Sequence, residues 1–188
     1  VIDDFALDVA IQPTATPTPQ ATVVLQPQAD AFVNADAPDT NFGTAARLEI
    51  DGSPQKLAYL LFDLRELAGA TLRSARLRLR VAEVSGAEST SSQIVRFSDG
   101  GDWDEASLVF ANRPGLENGQ AGTFSGGSQG QWISVELTAT LQALFGESVT
   151  FAIESSGSDG LDISSREGSD PPQLVLAYDR PTATATVT

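Results

Sequence analysis

Large apolar residues alternate with small or acidic ones through the first segment, Asp4-Phe5-Ala6-Leu7-Asp8-Val9-Ala10-Ile11, and a period of two is the pattern of a half-buried strand. Phe5, Leu7, Val9 and Ile11 fall on one face of that strand, so it must complete a sheet. Residues 13–19 then run Pro-Thr-Ala-Thr-Pro-Thr-Pro, a composition that favours extended polyproline geometry and buries too little surface to fold alone. A tract of the same kind closes the chain at residues 181–186. The expected organisation is an amphipathic arm over 1–11, a Pro/Thr linker over 12–21, a folded module over 22–179 and a second linker over 180–188.

Inside those brackets, short alternating or apolar runs recur with Gly, Asn, Asp, Ser and Pro between them, the spacing of strands joined by turns. The pattern predicts strands at 22–25, 31–34, 47–51, 56–63, 74–83, 93–97, 132–136, 148–154, 161–164 and 173–178. One helical turn is expected over 138–145, where Leu137, Leu141 and Leu144 or Phe145 recur every three to four residues before Gly146, and it would plug one end of the fold. The fold class is all-β, a two-sheet β-sandwich with an N-terminal tethered strand.

Composition narrows the chemistry. Histidine, cysteine and methionine are absent from the 188 residues, which removes the usual general base near neutral pH, the thiolate nucleophile and the common zinc and copper ligands. An enzyme is not expected. Acidic residues number 25 against 11 basic, a net charge of −14, and Lys56 is the sole lysine, so a nucleic-acid or anionic-membrane partner is disfavoured while hard cations remain compatible. No apolar stretch approaches the roughly 18 to 20 residues that cross a bilayer, and no charged-then-apolar leader is present. The chain starts at Val1 and is read as a mature or excised segment of an exported protein, extracellular or on a cell surface.

Several motifs carry a family resemblance over residues 28–179. Ala29-Asp30-Ala31-Phe32-Val33 precedes Asn41-Phe42-Gly43. Ala58-Tyr59-Leu60-Leu61-Phe62-Asp63-Leu64 follows Leu48-Glu49-Ile50-Asp51-Gly52. Ser74-Ala75-Arg76-Leu77-Arg78-Leu79, a run from Trp103-Asp104-Glu105 to Asn112-Arg113-Pro114, and Ser165-Arg166-Glu167 before Pro172-Gln173-Leu174-Val175 complete the set. In this order they resemble the DNRLRE domains, a group that overlaps carbohydrate-binding modules associated with polysaccharide lyases. The resemblance implies a jelly-roll-like sandwich with an extracellular, non-catalytic role. Phe110 stands where that family often has Trp, and the Val23 strand, the arm and the linkers lie outside its pattern.

Four sets of residues are functional candidates. The arm Phe5, Leu7, Val9 and Ile11 would donate a strand to a neighbouring copy, because strand addition supplies both ladder hydrogen bonds and side-chain pockets and an unclosed head-to-tail contact builds a filament. Folding back onto its own sandwich is the alternative, since the linker reaches roughly 31 Å. Arg76, Arg78 and Arg80 alternate with Leu77, Leu79 and Val81, which sets three guanidiniums on one strand face at intervals of roughly 6.6 to 6.8 Å, suited to the carboxylates of an acidic polysaccharide. The plainer reading of that stripe is an outer sheet face neutralised by neighbouring acids. Thr14, Thr16, Thr18, Thr182, Thr184 and Thr186 are candidate O-glycosylation sites. No cofactor is required, and a structural Ca2+ is the one candidate, at Asp30, Asn41 and Asp51 from a pool that also holds Asp36, Asp39, Asp99 and Asp102.

Asp102, Asp104 and Glu105 read as a solvated turn, with Asp104 and Glu105 as caps, in preference to a catalytic acid pair. Trp103 and Trp132 are expected buried against core strands. The reading that follows is a structural subunit that polymerises through its arm, the partner being other copies of itself. A carbohydrate-binding module that targets an acidic polysaccharide is the alternative.

Overall fold

The computed structural model describes residues 20–99 and 103–180. The donor arm of Phe5, Leu7, Val9 and Ile11, the threonines of both Pro/Thr tracts and Asp102 all lie outside the described residues. The strands among the described residues are β1 Gln20–Leu25, β2 Ala29–Asn34, β3 Arg47–Gly52, β4 Gln55–Asp63, β5 Thr71–Arg80, β6 Ser92–Phe97, β7 Gly122–Ser125, β8 Trp132–Glu136, β9 Ser148–Ser155, β10 Leu161–Ser164 and β11 Gln173–Asp179.

They form two sheets. One has the order β1-β11-β5-β8; the other runs β10-β3-β4-β9-β6-β7, with β2 also paired to β4. Setting β2, β3 and β10 aside leaves eight strands in which the first lies beside the last and every connection but β6–β7 passes from one sheet to the other. That is jelly-roll topology. The all-β, two-sheet sandwich expected from the sequence is the observed architecture.

The sandwich closes because one face of each strand is apolar. Ala75, Leu77 and Leu79 of β5 are fully buried against Leu60 and Phe62 of β4 and Phe151 and Ile153 of β9, while Arg76, Arg78 and Arg80 take the opposite face, as a period of two dictates. β4 and β9 read as almost continuous apolar runs for a different reason: both of their faces are covered. Trp103, Leu108, Phe110 and Leu116 pack over Ala31, Val33, Leu57, Tyr59 and Ala152 as a second, smaller core. The segment 103–117 is thus a cover for the outer face of the larger sheet.

Polar contacts fasten that cover. The Tyr59 hydroxyl donates to the Pro114 carbonyl at 2.9 Å, and the Trp103 indole donates to Thr150 Oγ1 at 3.1 Å. Burial pushes the Tyr59 phenol up to about 12, so its hydroxyl stays protonated in the fold where an unfolded tyrosine would ionise. Because the native state holds this proton more tightly, the associated stability is complete below pH ~10 and is lost as the pH rises towards ~12, about 3 kcal/mol across the window. Wild type should therefore lose its stability advantage over Tyr59→Phe between those two pH values. Urea midpoints measured at both ends check it, and parallel pH curves would refute it.

Three local readings differ from the structure. β5 begins earlier and ends at Arg80, because Val81 leaves the smaller sheet to bridge Ile163 of the larger one. β7 was not expected: it is four residues long, starts at a glycine and buries only Phe124, too little for a recognisable period. The helical segment is shorter than the expected 138–145, a turn of helix α1 Thr138–Leu141 passing into a 3-10 turn Gln142–Leu144. It ends at Gly146, whose φ of +97° lies in the left-handed region. Leu137 and Leu141 do plug the sandwich, both fully buried, and Thr138 Oγ1 accepts the Ala75 amide at 2.9 Å. The strand expected at 22–25 is present as β1, which pairs with β11 along its whole length, from Gln20↔Asp179 to Leu25↔Leu174.

Candidate functional site

With β2, β4 and β9 of the larger sheet covered, the outer side of β1-β11-β5-β8 is an open sheet face among the described residues. Register places its residues in rows: Val24, Val175, Arg76 and Glu136 in one; Gln173, Arg78 and Ser134 in the next; Arg80 and Trp132 in the last. The three arginines do share this face, as their spacing predicts, but they are not equivalent. Arg76 is paired with Glu136, and Arg80 is paired with Glu83 and lies 3.8 Å from Asp170. Arg78 has no carboxylate partner among the described residues. Its guanidinium donates to the Gln173 side-chain oxygen at 3.0 Å and lies 4.6 Å over the Trp132 ring.

Trp132 is therefore not the buried residue expected from its neighbours in sequence. It is half-buried on the outer face, held under Arg78 and 5.9 Å from the Arg80 guanidinium. Trp103 sits in the second core, edge-on to Tyr59. The patch of Arg78, Trp132, Gln173 and Ser134 combines an unneutralised planar cation, an aromatic surface, an amide and a hydroxyl. A guanidinium fork matches a carboxylate, and an indole offers an apolar plane with a polar edge.

The second locus is where the start of β2, the cover segment and the turn before β11 meet. Oxygen atoms of Asp30, Glu105 and Glu167 lie within 4.8 Å of one another. Glu105 Oε1 accepts the Asp30 amide at 2.8 Å, its Oε2 pairs with Arg166, and Asp30 Oδ2 accepts the Arg166 amide at 2.8 Å. Arg166 also donates to the Gln28 carbonyl at 2.9 Å and lies 3.4 Å from Glu167 Oε1. Asp30 is fully buried, and its Oδ1 has no hydrogen-bond partner. Burial pushes its carboxyl up to about 7; the Arg166 amide opposes the shift and the Glu167 and Glu105 carboxylates add to it.

Of the three proposed calcium ligands, the structure brings Asp30 into this cluster and sets Asn41 beside it. The Asn41 amide donates to the Glu105 and Leu108 carbonyls at 2.7 and 2.8 Å, and its oxygen accepts the Gly43 amide at 3.2 Å. Asn41 is thus a clamp on the cover segment. Gly43 completes the clamp, since a Cβ there would lie 2.3 Å from the Glu105 carbonyl oxygen. Asp51 is elsewhere: it pairs with Lys56 and Asp30 with Leu60, so they sit about 13 Å apart along β4, and Asp51 faces a polar hollow with Glu49, Asp159 and Asp162. There, burial and the Glu49 charge raise Asp162, with Arg47 and Lys56 opposing.

Glu105, Arg166 and Glu167 were not expected at any site. Glu105 read as a turn cap, a role the structure gives to Asp104, whose Oδ1 accepts the Ala106 amide at 3.0 Å. The only signal for the other two was their place in the Ser165-Arg166-Glu167 motif, which says nothing of a partner sixty residues away.

Residues 21–178 match the profile of carbohydrate-binding module family 96. The chain belongs to that family. The match takes in β1, which the motif resemblance had placed outside the family pattern, in keeping with its full pairing to β11. A comparison with curated proteins finds no match. Among solved structures, the K1 cleaved adhesin domain of Lys-gingipain from Porphyromonas gingivalis W83 is similar at 12% identity and a TM-score of 0.29, over 87% of this chain and 99% of that one. No helix among the described residues is long and apolar enough to cross a membrane.

Proposed function

We propose that this family 96 module is extracellular and non-catalytic and holds an acidic polysaccharide on the outer face of β1-β11-β5-β8. The observation that carries the reading is Arg78: a guanidinium without a carboxylate partner among the described residues, stacked on Trp132 at the centre of the open sheet. A uronate carboxylate would take the Arg78 fork, the sugar ring would lie along Trp132, and Gln173 and Ser134 would meet hydroxyls. Arg76 and Arg80, already paired with Glu136 and with Glu83, would hold their neighbours in place more than they bind. The chain's net charge of −14 opposes a polyanion at long range, so the contact has to be local and sensitive to salt. The DNRLRE assignment is the finer form of the family identity and rests on the motifs that the fold gathers at β2, the cover segment and residues 165–167.

Isothermal titration with polyuronate and with a neutral glucan tests the proposal. Binding of the polyuronate that weakens with added salt supports it; equal or exclusive binding of the glucan overturns it.

One observation favours the filament reading as a second function. β1 is an edge strand with no neighbour on its outer side among the described residues, Val24 is 53% exposed, and a groove of about 710 Å3 runs beside it, lined by Val23, Leu25, Leu67 and Tyr178 with Asp63, Glu66 and Arg180 among them. An arm carrying Phe5, Leu7, Val9 and Ile11 from another copy would extend the ladder there and fill the groove. Deleting residues 1–11 should convert polymer to monomer in analytical ultracentrifugation, and a wild-type chain that sediments only as monomer would end the idea. Sugars on Thr14, Thr16, Thr18, Thr182, Thr184 and Thr186 would protect such a tether, and intact mass would reveal them.

A further inference from the structure

We propose that Asp30, Glu105 and Glu167 bind one hard divalent cation, with Ca2+ the best fit, at the seam where β2, the cover segment and the turn before β11 meet. Two independent features point there. The first is the convergence of three carboxylates from three distant parts of the chain within 4.8 Å. The second is Asp30 Oδ1: an acceptor on a side chain with no solvent exposure and no donor.

A buried carboxylate oxygen without a partner is costly, and proteins resolve it by a proton, a donor or a metal. No donor at hand reaches it: the Arg166 Nε is itself buried without a partner and makes no hydrogen bond to Asp30 Oδ1. Arg166 gives its amide to Asp30 Oδ2, one terminal nitrogen to the Gln28 carbonyl and the other to Glu105 Oε2. With all three carboxylates ionised, this one guanidinium leaves two units of negative charge uncompensated, which a divalent ion would cancel in place of the proton that burial favours on Asp30.

The donor set specifies the ion class. All three ligands are carboxylates, and the chain has no histidine, cysteine or methionine, so the site suits an oxygen-seeking cation and not zinc or copper. Glu167 is exposed while Asp30 is buried, giving a cluster that is closed on the inside and open to water on the outside. Ca2+ tolerates such an irregular shell of carboxylates completed by water, whereas Mg2+ demands near-octahedral geometry. The consequence would be structural. One ion would tie the start of β2 to the cover segment and to the turn before β11, the same seam that Asn41 and Gly43 clamp from the other side.

The test uses the full chain, stripped with a chelator and then titrated with Ca2+ while its melting temperature is followed by calorimetry. The expected result is a rise of roughly 5 °C or more at saturating Ca2+, reversed by EGTA, together with terbium luminescence sensitised by Trp103. Asp30→Asn and Glu167→Gln should each remove at least half of the shift. Glu167 is exposed, so Glu167→Gln keeps the test valid if Asp30→Asn fails to fold. An unchanged melting temperature with Ca2+, Mg2+ and Mn2+ would assign the cluster to its Arg166 pairings and solvent alone. A shift of wild-type size in both variants would put the ion elsewhere, the hollow beside Asp51 included. Neither result bears on glycan binding by the opposite sheet, which is measured separately.

Discussion

Arg78→Glu is expected to lower polyuronate affinity by roughly 10- to 100-fold, the worth of a charge-assisted pair of hydrogen bonds, with repulsion added. Arg78 is singled out because its neighbours on the strand are already spent. Arg76 is paired with Glu136 and Arg80 with Glu83, so Arg76→Glu should cost much less even though it makes the same change of charge. Arg78→Lys keeps the charge and loses both the planar fork and the stacking on Trp132, and should fall between the two. Equal losses from Arg76→Glu and Arg78→Glu would mean that the stripe acts only through its net charge. Wild-type affinity in Arg78→Glu would move the binding site off this face.

Phe151→Ala is expected to destabilise the fold by about 3 to 5 kcal/mol, seen as a lower urea midpoint with the slope unchanged. Phe151 is fully buried on β9, between β4 and β6 at the centre of the larger sheet, with its ring centroid 6.0 Å from Phe62 and 5.4 Å from Phe97. Removing it opens a cavity that strands hydrogen-bonded on both sides cannot collapse to fill. Against a total stability of about 5 to 15 kcal/mol for a domain, that is a third or more of the whole. Val24→Ala on the exposed edge strand should stay within about 0.5 kcal/mol and serves as the control. A cost at Phe151 of similar size to that at Val24 would contradict the packing described for the sandwich.

The fold was legible because β-structure writes itself locally. A strand that covers a core with one face must alternate, and β5 does so from Ser74 to Arg80, after a register shift against β11 that moves the buried set from Leu72 to Ala75. Where the structure departs from that rule, the signal fades for physical reasons. β7 is too short to show a period. β4 and β9 are apolar on both faces because the segment 103–117 covers the second one, a tertiary fact that a period-two reading cannot contain. Val81 looked like a continuation of β5 and instead crosses to the other sheet, since alternation says which way a side chain points and not which strand it will pair with.

The candidate sites were legible in part. The arginine stripe follows from alternation alone, but its electrostatics depend on cross-strand partners: Glu136 lies 60 residues from Arg76, and only pairing makes them neighbours. That is why Arg78 could not be told from Arg76 beforehand. Trp132 begins a strand whose even positions face outward, so the same alternation that buries Ile133 and Val135 exposes it. The acidic cluster was half seen, through Asp30. Glu105 and Arg166 meet it from 75 and 136 residues away, and no local pattern encodes such a convergence.

The most direct test of glycan recognition at the open sheet face is to titrate an isotope-labelled chain with an oligouronate and follow the arginine side-chain and indole resonances by NMR. Saturable shifts at the Arg78 guanidinium, the Trp132 indole N–H, Gln173 and Ser134, with the cover segment unmoved, are the predicted result. Shifts confined to the cover segment or to the hollow beside Asp51, with Arg78 and Trp132 unchanged, would contradict it.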